Sequence, residues 1–351
     1  MSSLAERNLG ARGGRLLPAL VLACWAVGLI LPGLARAATG AHRVAAYQHW
    51  EGAHYLIAED LNLIAVVIPQ IGGRVLFYGF SGDNILFEDP TVSGKTLATL
   101  ERGSFGGYQL DIGPELRGIS AHPQLWAGVY HASSPSPYQV RVSSPPESEL
   151  GLRLEKEFTM DPDSGRLGVT QTVKNTGSTP VSYCLWDRTL CVNGGYAIIP
   201  LNRKSRFPAK WSIRTGKPGS WQYDGVTPAS SRAKVLDGML IVEARGEATK
   251  IGADSDAGWI AYVKGNLLFV KSFPYEPGGR YTDGGNSVEF YWDERVAELE
   301  PLSPEKQLAP GESYVFPEQW SLVRLNEPVT SHREARKAAK RVEPFRFSTS
   351  R

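Results

Sequence analysis

Cysteine is scarce in this chain: 351 residues hold three, Cys24, Cys184 and Cys191. So few cannot build a disulfide framework, and no Cys/His cluster has zinc spacing, so neither a metal nor a cofactor is expected. Charge of one sign is lacking as well. Thirty-eight Lys and Arg face 36 Asp and Glu, for a net charge of +2. A near-neutral chain lacks the basic field that holds a phosphate backbone, which argues against nucleic acid as a partner. Also missing, between residues 40 and 325, is any helical periodicity sustained over several turns, which disfavours a βαβ architecture.

One long apolar run is present, and it reads as an address. Arg7, Arg12 and Arg15 precede an apolar segment from Leu16 to Leu34, and Ala35-Arg36-Ala37 forms a small-residue cleavage site. Residues 1–37 are therefore expected to be a cleaved signal peptide, giving a periplasmic or secreted protein without stable membrane insertion. The alternatives are an uncleaved anchor, since nineteen residues sit near the spanning minimum, or a lipoprotein processed at Cys24. Loss of residues 1–37 removes four Arg and one Glu and brings the net charge to about −1. Cys184 and Cys191 then remain. Seven residues apart on one strand they point to opposite faces, which disfavours pairing.

From His42 to about Leu325 strand follows strand, rich in Val, Ile, Leu and aromatics. Examples are Leu63–Ile68, Arg74–Phe80, Gly151–Met160, Arg166–Asn175, Val181–Leu190, Val235–Glu243, Gly258–Val263, Leu267–Phe273 and Tyr314–Leu325. Turn clusters such as Gly72-Gly73, Asp161-Pro-Asp-Ser-Gly165 and Asn175-Thr-Gly-Ser-Thr-Pro180 separate them. Leu152, Leu154 and Phe158 alternate with Arg153, Glu155, Lys156 and Glu157, as in a strand with one wet face. Ser331-His-Arg-Glu334 is a capping box that opens a short C-terminal helix. The expected division is a β-domain over 38–328 and a helix with tail over 329–351.

Several motifs occur in an order that resembles the galactose-mutarotase-like, or aldose-1-epimerase-like, superfamily, most nearly its secreted members of unknown function. They are Ile71-Gly-Gly-Arg-Val75, Phe105-Gly-Gly-Tyr-Gln109, Pro123-Gln-Leu-Trp126, Val173-Lys-Asn-Thr-Gly-Ser-Thr-Pro180 and Tyr281-Thr-Asp-Gly-Gly285. The closing hairpin, with Glu300-Pro301 and Leu308-Ala-Pro-Gly-Glu312, completes the set. The resemblance spans roughly residues 43 to 325. It implies an antiparallel β-supersandwich whose concave face binds a carbohydrate, either a mono- or an oligosaccharide.

In epimerases of this fold a Glu takes the anomeric proton and a His protonates the ring oxygen. By position Glu300 matches the family's Glu before Pro. Where the family carries Asn-His, this chain reads Cys184-Leu-Trp-Asp187-Arg188, which leaves Asp187 or the loop residue His122 as the acid. Sugar recognition needs an aromatic face and planar polar donors. Trp126 is the stacking candidate. Arg74, Arg188, Lys271, Tyr281 and Asp283 are the polar ones, and Lys271 stands out because it interrupts an apolar run. The functions in view are an aldose-epimerase-like isomerase, a non-catalytic carbohydrate-binding module, and a lyase- or hydrolase-related protein using Tyr281, Arg280 and Lys271.

Overall fold

The computed structural model describes residues 42–101 and 103–347. The leader expected over residues 1–37 lies outside them. The described residues form one compact unit.

The chain opens with β1 (His42–Tyr47), β2 (Trp50–Ala58), β3 (Leu63–Ile68), β4 (Arg74–Phe80) and the short β5 (Asp83–Asn84). Then come β6 (Tyr108–Gly113), helix α1 (Pro123–Ala127), β7 (His131–Ser136) and β8 (Gln139–Ser143). Four further strands are β9 (Leu152–Met160), β10 (Leu167–Asn175), β11 (Val181–Val192) and β12 (Tyr196–Pro200). Next are β13 (Ser212–Thr215), β14 (Gln222–Asp224), β15 (Ala233–Leu236), β16 (Met239–Glu243) and β17 (Thr249–Ala253). The chain closes with β18 (Trp259–Ser272), β19 (Val288–Trp292), β20 (Val296–Pro301), β21 (Lys306–Leu308), β22 (Ser313–Val329) and helix α2 (His332–Ala338).

Among the described residues all strand pairs are antiparallel, in two sheets. The larger runs β1-β2-β3-β4-β6-β11-β20-β19-β17-β13-β14, with β5 and β21 attached at the side. The smaller runs β15-β16-β12-β18-β22-β10-β9-β8-β7. Side-chain alternation decides what each strand gives to the interior. From the larger sheet come Tyr108, Leu110, Ile112, Leu185, Phe290, Ala297 and Leu299; from the smaller, Leu154, Phe158, Val169, Phe269, Phe316 and Trp320. Burial of each large apolar side chain contributes about 1.5–3 kcal/mol. Trp320 sits at the centre, with the rings of Phe269, Tyr108 and Tyr78 edge-on at 5.3, 5.5 and 5.8 Å.

The structure departs from the sequence expectation in four places. Val235–Glu243 is two strands, because Asp237 and Gly238 both take positive φ (49° and 75°) and turn the chain back as a hairpin. The two strands expected over Gly258–Val263 and Leu267–Phe273 are instead one, β18 (Trp259–Ser272), carried through a bulge between Gly265 and Leu267. Lys156 belongs to the inward parity of β9, not its wet face: it is buried, and its ammonium donates to the Gly72 carbonyl at 2.8 Å. Burial, helped by nearby Arg74, lowers that ammonium to about 7. Finally, β6 had no apolar run to announce it, and it proves central to the site below.

At the C-terminus Ser331 caps α2 by accepting from the Glu334 amide at 3.3 Å, while the Glu334 carboxylate accepts from the Thr330 amide at 2.8 Å. Ala335 and Ala339 pack onto Ile198, Ile241, Leu268 and Val270. The helix thus covers the outer face of the smaller sheet rather than lying free.

Candidate functional site

The outer face of the larger sheet carries the opposite parity, and it is polar. Gln109 and Asp111 of β6, Trp186 and Arg188 of β11, Glu298 and Glu300 of β20, Glu289 and Tyr291 of β19, Lys250 of β17 and Arg214 of β13 all share it. Cross-strand register sets the neighbours: Trp186 faces Asp111, Arg188 faces Gln109, and Glu300 faces Glu289.

Two basic side chains organise the carboxylates. The guanidinium of Arg188 meets Asp111 at 3.0 Å and Glu298 at 2.9 Å. Burial would lower its proton affinity, but the Glu298 and Asp111 carboxylates more than reverse that. Lys250 lies 2.7 Å from Glu300, 2.8 Å from Glu289 and 3.0 Å from Glu115. Arg214 adds a 2.6 Å bond to Glu115. Burial raises Glu289 to about 8 despite Lys250. Burial also raises Glu300, against the pull of Lys250, whereas Glu115 is lowered because Lys250 and Arg214 outweigh its burial. Glu300 accepts from the Trp186 indole at 2.6 Å through Oε2, and its buried Oε1 has no protein partner.

Two adjoining hollows open on this face. One of about 410 Å³ is lined by Asp111, His122, Trp126, Trp186 and Arg188 with the 112–123 loop. The other, about 230 Å³, is lined by Trp186, Arg188, Arg214, Lys250, Tyr291, Glu298 and Glu300. Glu115, Trp186 and Arg188 border both. Helix α1 lays Trp126 at the rim, where its indole N–H donates to Gln109 at 3.1 Å. His122 precedes that helix; its Nδ1 lies 2.9 Å from the Ser120 carbonyl and its Nε2 4.0 Å from Asp111.

The structure brings Glu300, His122, Trp126 and Arg188 to one face and separates the other candidates. Asp187 has inward parity on β11, is fully buried between the sheets, and contacts Lys271. A side chain on that side of the sheet cannot protonate a sugar held against Glu300. Lys271 is equally interior, so the grouping of Tyr281, Arg280 and Lys271 is not assembled. Arg74 is buried beneath Trp126, and its donors go to the carbonyls of Ile71, Gly106 and Trp126 and to Gln109. With four of its five N–H donors engaged inside the protein and the side chain buried, it props the rim. Tyr281 and Asp283 line a separate hollow of about 390 Å³ with Arg117, Arg206 and Arg280. There Asp283 accepts from the amides of Glu115 and Leu116 at 3.0 and 2.7 Å, fixing the loop that presents Glu115. Sequence reasoning missed Asp111, Lys250, Glu289 and Glu298 as site residues. Their signal was a polar residue at every second position, as in Val288-Glu-Phe-Tyr-Trp292.

Strand order, twin sheets and a charged outer face define a galactose-mutarotase-like β-sandwich, and comparison with solved structures supports that class. A galactose mutarotase-like protein from Lactobacillus casei superposes with a TM-score of 0.52 at 13% identity, covering 77% of this chain and 100% of that one. A Synechocystis protein gives 0.53 at 13% identity, covering 78% and 96%. A protein provisionally named aldose 1-epimerase from Escherichia coli gives 0.51 at 12%, covering 76% and 97%. At such identities the likeness is one of fold. Residues 127–323 match the family described as "Domain of unknown function (DUF4380)", and the chain belongs to that family. No curated protein sequence matches it.

Proposed function

We propose that this is an exported protein that binds a carbohydrate in the hollow between Trp126 and Trp186. One observation carries the reading: two indoles border a cavity of about 410 Å³ on the same polar face that holds Arg188 and Asp111. A pyranose presents apolar C–H faces to rings and hydroxyls to fixed donors and acceptors, and this cavity offers both. About 28% of the Arg188 side chain is exposed, so a ligand can reach it without breaking its ion pairs. Export rests on the leader pattern in residues 1–37.

The test is a glycan array followed by calorimetry on the best hit, comparing wild type with Trp126→Ala and Trp186→Ala. Binding that both variants weaken by about tenfold or more supports the reading. A ligand whose affinity neither variant changes places its site elsewhere.

A second reading, ring opening of an aldose, is favoured by the unpartnered Oε1 of Glu300 on the face shared with His122. Burial raises the proton affinity of that carboxylate, as a general base requires. Accelerated mutarotation that Glu300→Gln abolishes, with His122→Gln slowed, supports it. No acceleration with any common aldose leaves the protein a binder.

A further inference from the structure

The interior side of β11 holds a second cluster for which sugar binding has no use. Asp187 and Thr189 project from the larger sheet onto Lys271 of β18 and Glu318 of β22 in the smaller one, and all four are at most 2% exposed. The Lys271 ammonium contacts Asp187 Oδ1, lies 2.8 Å from Thr189 Oγ1, and sits 3.3 Å from Glu318 Oε2. Thr189 donates to Asp187 Oδ1 at 2.7 Å, while Asp187 Oδ2 is buried with no partner. Glu318 is held by the Trp320 indole at 2.9 Å and by Gln171 at 3.3 Å. Apolar and aromatic residues close the surroundings, with Trp320 under the ammonium at 5.3 Å.

We propose that Lys271 and Asp187 condense to an amide that joins the two sheets, with Glu318 moving the protons. A buried amine and carboxyl held in contact react at an effective concentration on the order of 10⁵–10⁸ M. Burial, and then the neighbouring Glu318 carboxylate, raise Asp187 well above the usual range, which favours the neutral acid that an amine can attack. Glu318 takes one proton from the ammonium, and the freed Nζ forms a bond to Asp187 Cγ. The oxygen that gathers charge is Oδ1, to which Thr189 already donates. The Cγ–Oδ2 bond then breaks. Oδ2 leaves as water, carrying its own proton and the one returned by Glu318, and Glu318 keeps the nitrogen's remaining surplus proton. No oxidant or reductant takes part. The driving force is removal of an ammonium–carboxylate pair from a region without water, where ions are costly.

The experiment is mass spectrometry of the purified full chain, intact and after trypsin. The expected result is a protein one water lighter than its sequence, with no tryptic cleavage after Lys271. A branched peptide should carry both Lys271 and Asp187. Asp187→Ala and Glu318→Gln should return the mass to that of their sequences. Full mass in the wild type with a linear peptide ending at Lys271 would overturn the proposal, leaving an ion pair. So would a water loss mapped to other residues. The wild-type reading stands even if a variant fails to fold.

Discussion

Two lysines, Lys250 and Lys271, each sit among carboxylates on opposite sides of one sheet, and the contrast separates binding chemistry from architecture. Lys250 serves Glu115, Glu289 and Glu300 beside a hollow of about 230 Å³ that admits water. Lys271 serves Asp187 and Glu318 where both sheets exclude water. Near a cavity, the charge balance can be adjusted by protons, solvent or a ligand's hydroxyls. Between the sheets neither solvent nor a ligand reaches the cluster, so Lys271, Asp187 and Glu318 must balance charge by the protons they share among themselves.

The contrast breaks most sharply on replacing each lysine. Lys271→Met removes the partner of Asp187 and leaves the interior Glu318 without its cation, and it is expected to cost about 3–5 kcal/mol. Lys250→Met, next to a hollow of about 230 Å³, should cost less, about 1–3 kcal/mol. Urea unfolding of both variants measures the difference; equal losses would show that the hollow gives Glu289 and Glu300 no relief.

Next in size is the effect on ligand. Trp186 lies under Lys250 and Arg188, with cations 4.4 and 4.9 Å from its ring, and borders both hollows. Trp186→Ala is expected to weaken carbohydrate binding by about tenfold, roughly 1.4 kcal/mol. Asp187→Asn, on the interior side of the same strand, should leave affinity unchanged while altering stability. Calorimetry and unfolding on the two variants separate the faces.

A pH dependence sharpens the comparison further. Glu289 in the folded protein holds its proton up to about 8, against 4.5 ordinarily. The folded state therefore binds more protons than the unfolded chain between those values. Its contribution to stability is fully present below about 4.5 and is lost as pH rises towards 8. Glu289→Gln should flatten that slope, by no more than about 1.4 kcal/mol per pH unit. A slope that survives the substitution would assign it to another group.

The smallest effect concerns the cysteines. Cys184 lies on the outer face near Thr282 and Cys191 on the inner face, both buried and free. Burial pushes the Cys184 thiol up to about 12 and raises Cys191 as well. Neither should react with a thiol reagent in the native protein, and both should react on unfolding.

The sequence alone determined an all-β chain of serial strands, because alternating apolar residues and Gly/Pro-rich turns are local signals; the order of its motifs, through the family resemblance, supplied the antiparallel sandwich. It also determined the capped helix at Ser331 and the position of Glu300 before Pro301, and it put His122, Trp126 and Arg188 among the candidates. Only the tertiary structure decided which side of the sheet each charged residue occupies. Asp187 and Arg188 are adjacent in sequence yet lie on opposite faces. Strand parity follows from pairing register, fixed by contacts across the whole chain. Lys271 was legible as an anomaly in an apolar run, but its partners come from 84 residues away on β11 and from β22. Asp111 and Lys250 were missed for the same reason: polar alternation marks an outer face, but a single polar residue in a strand is ordinary until its neighbours across the sheet are known.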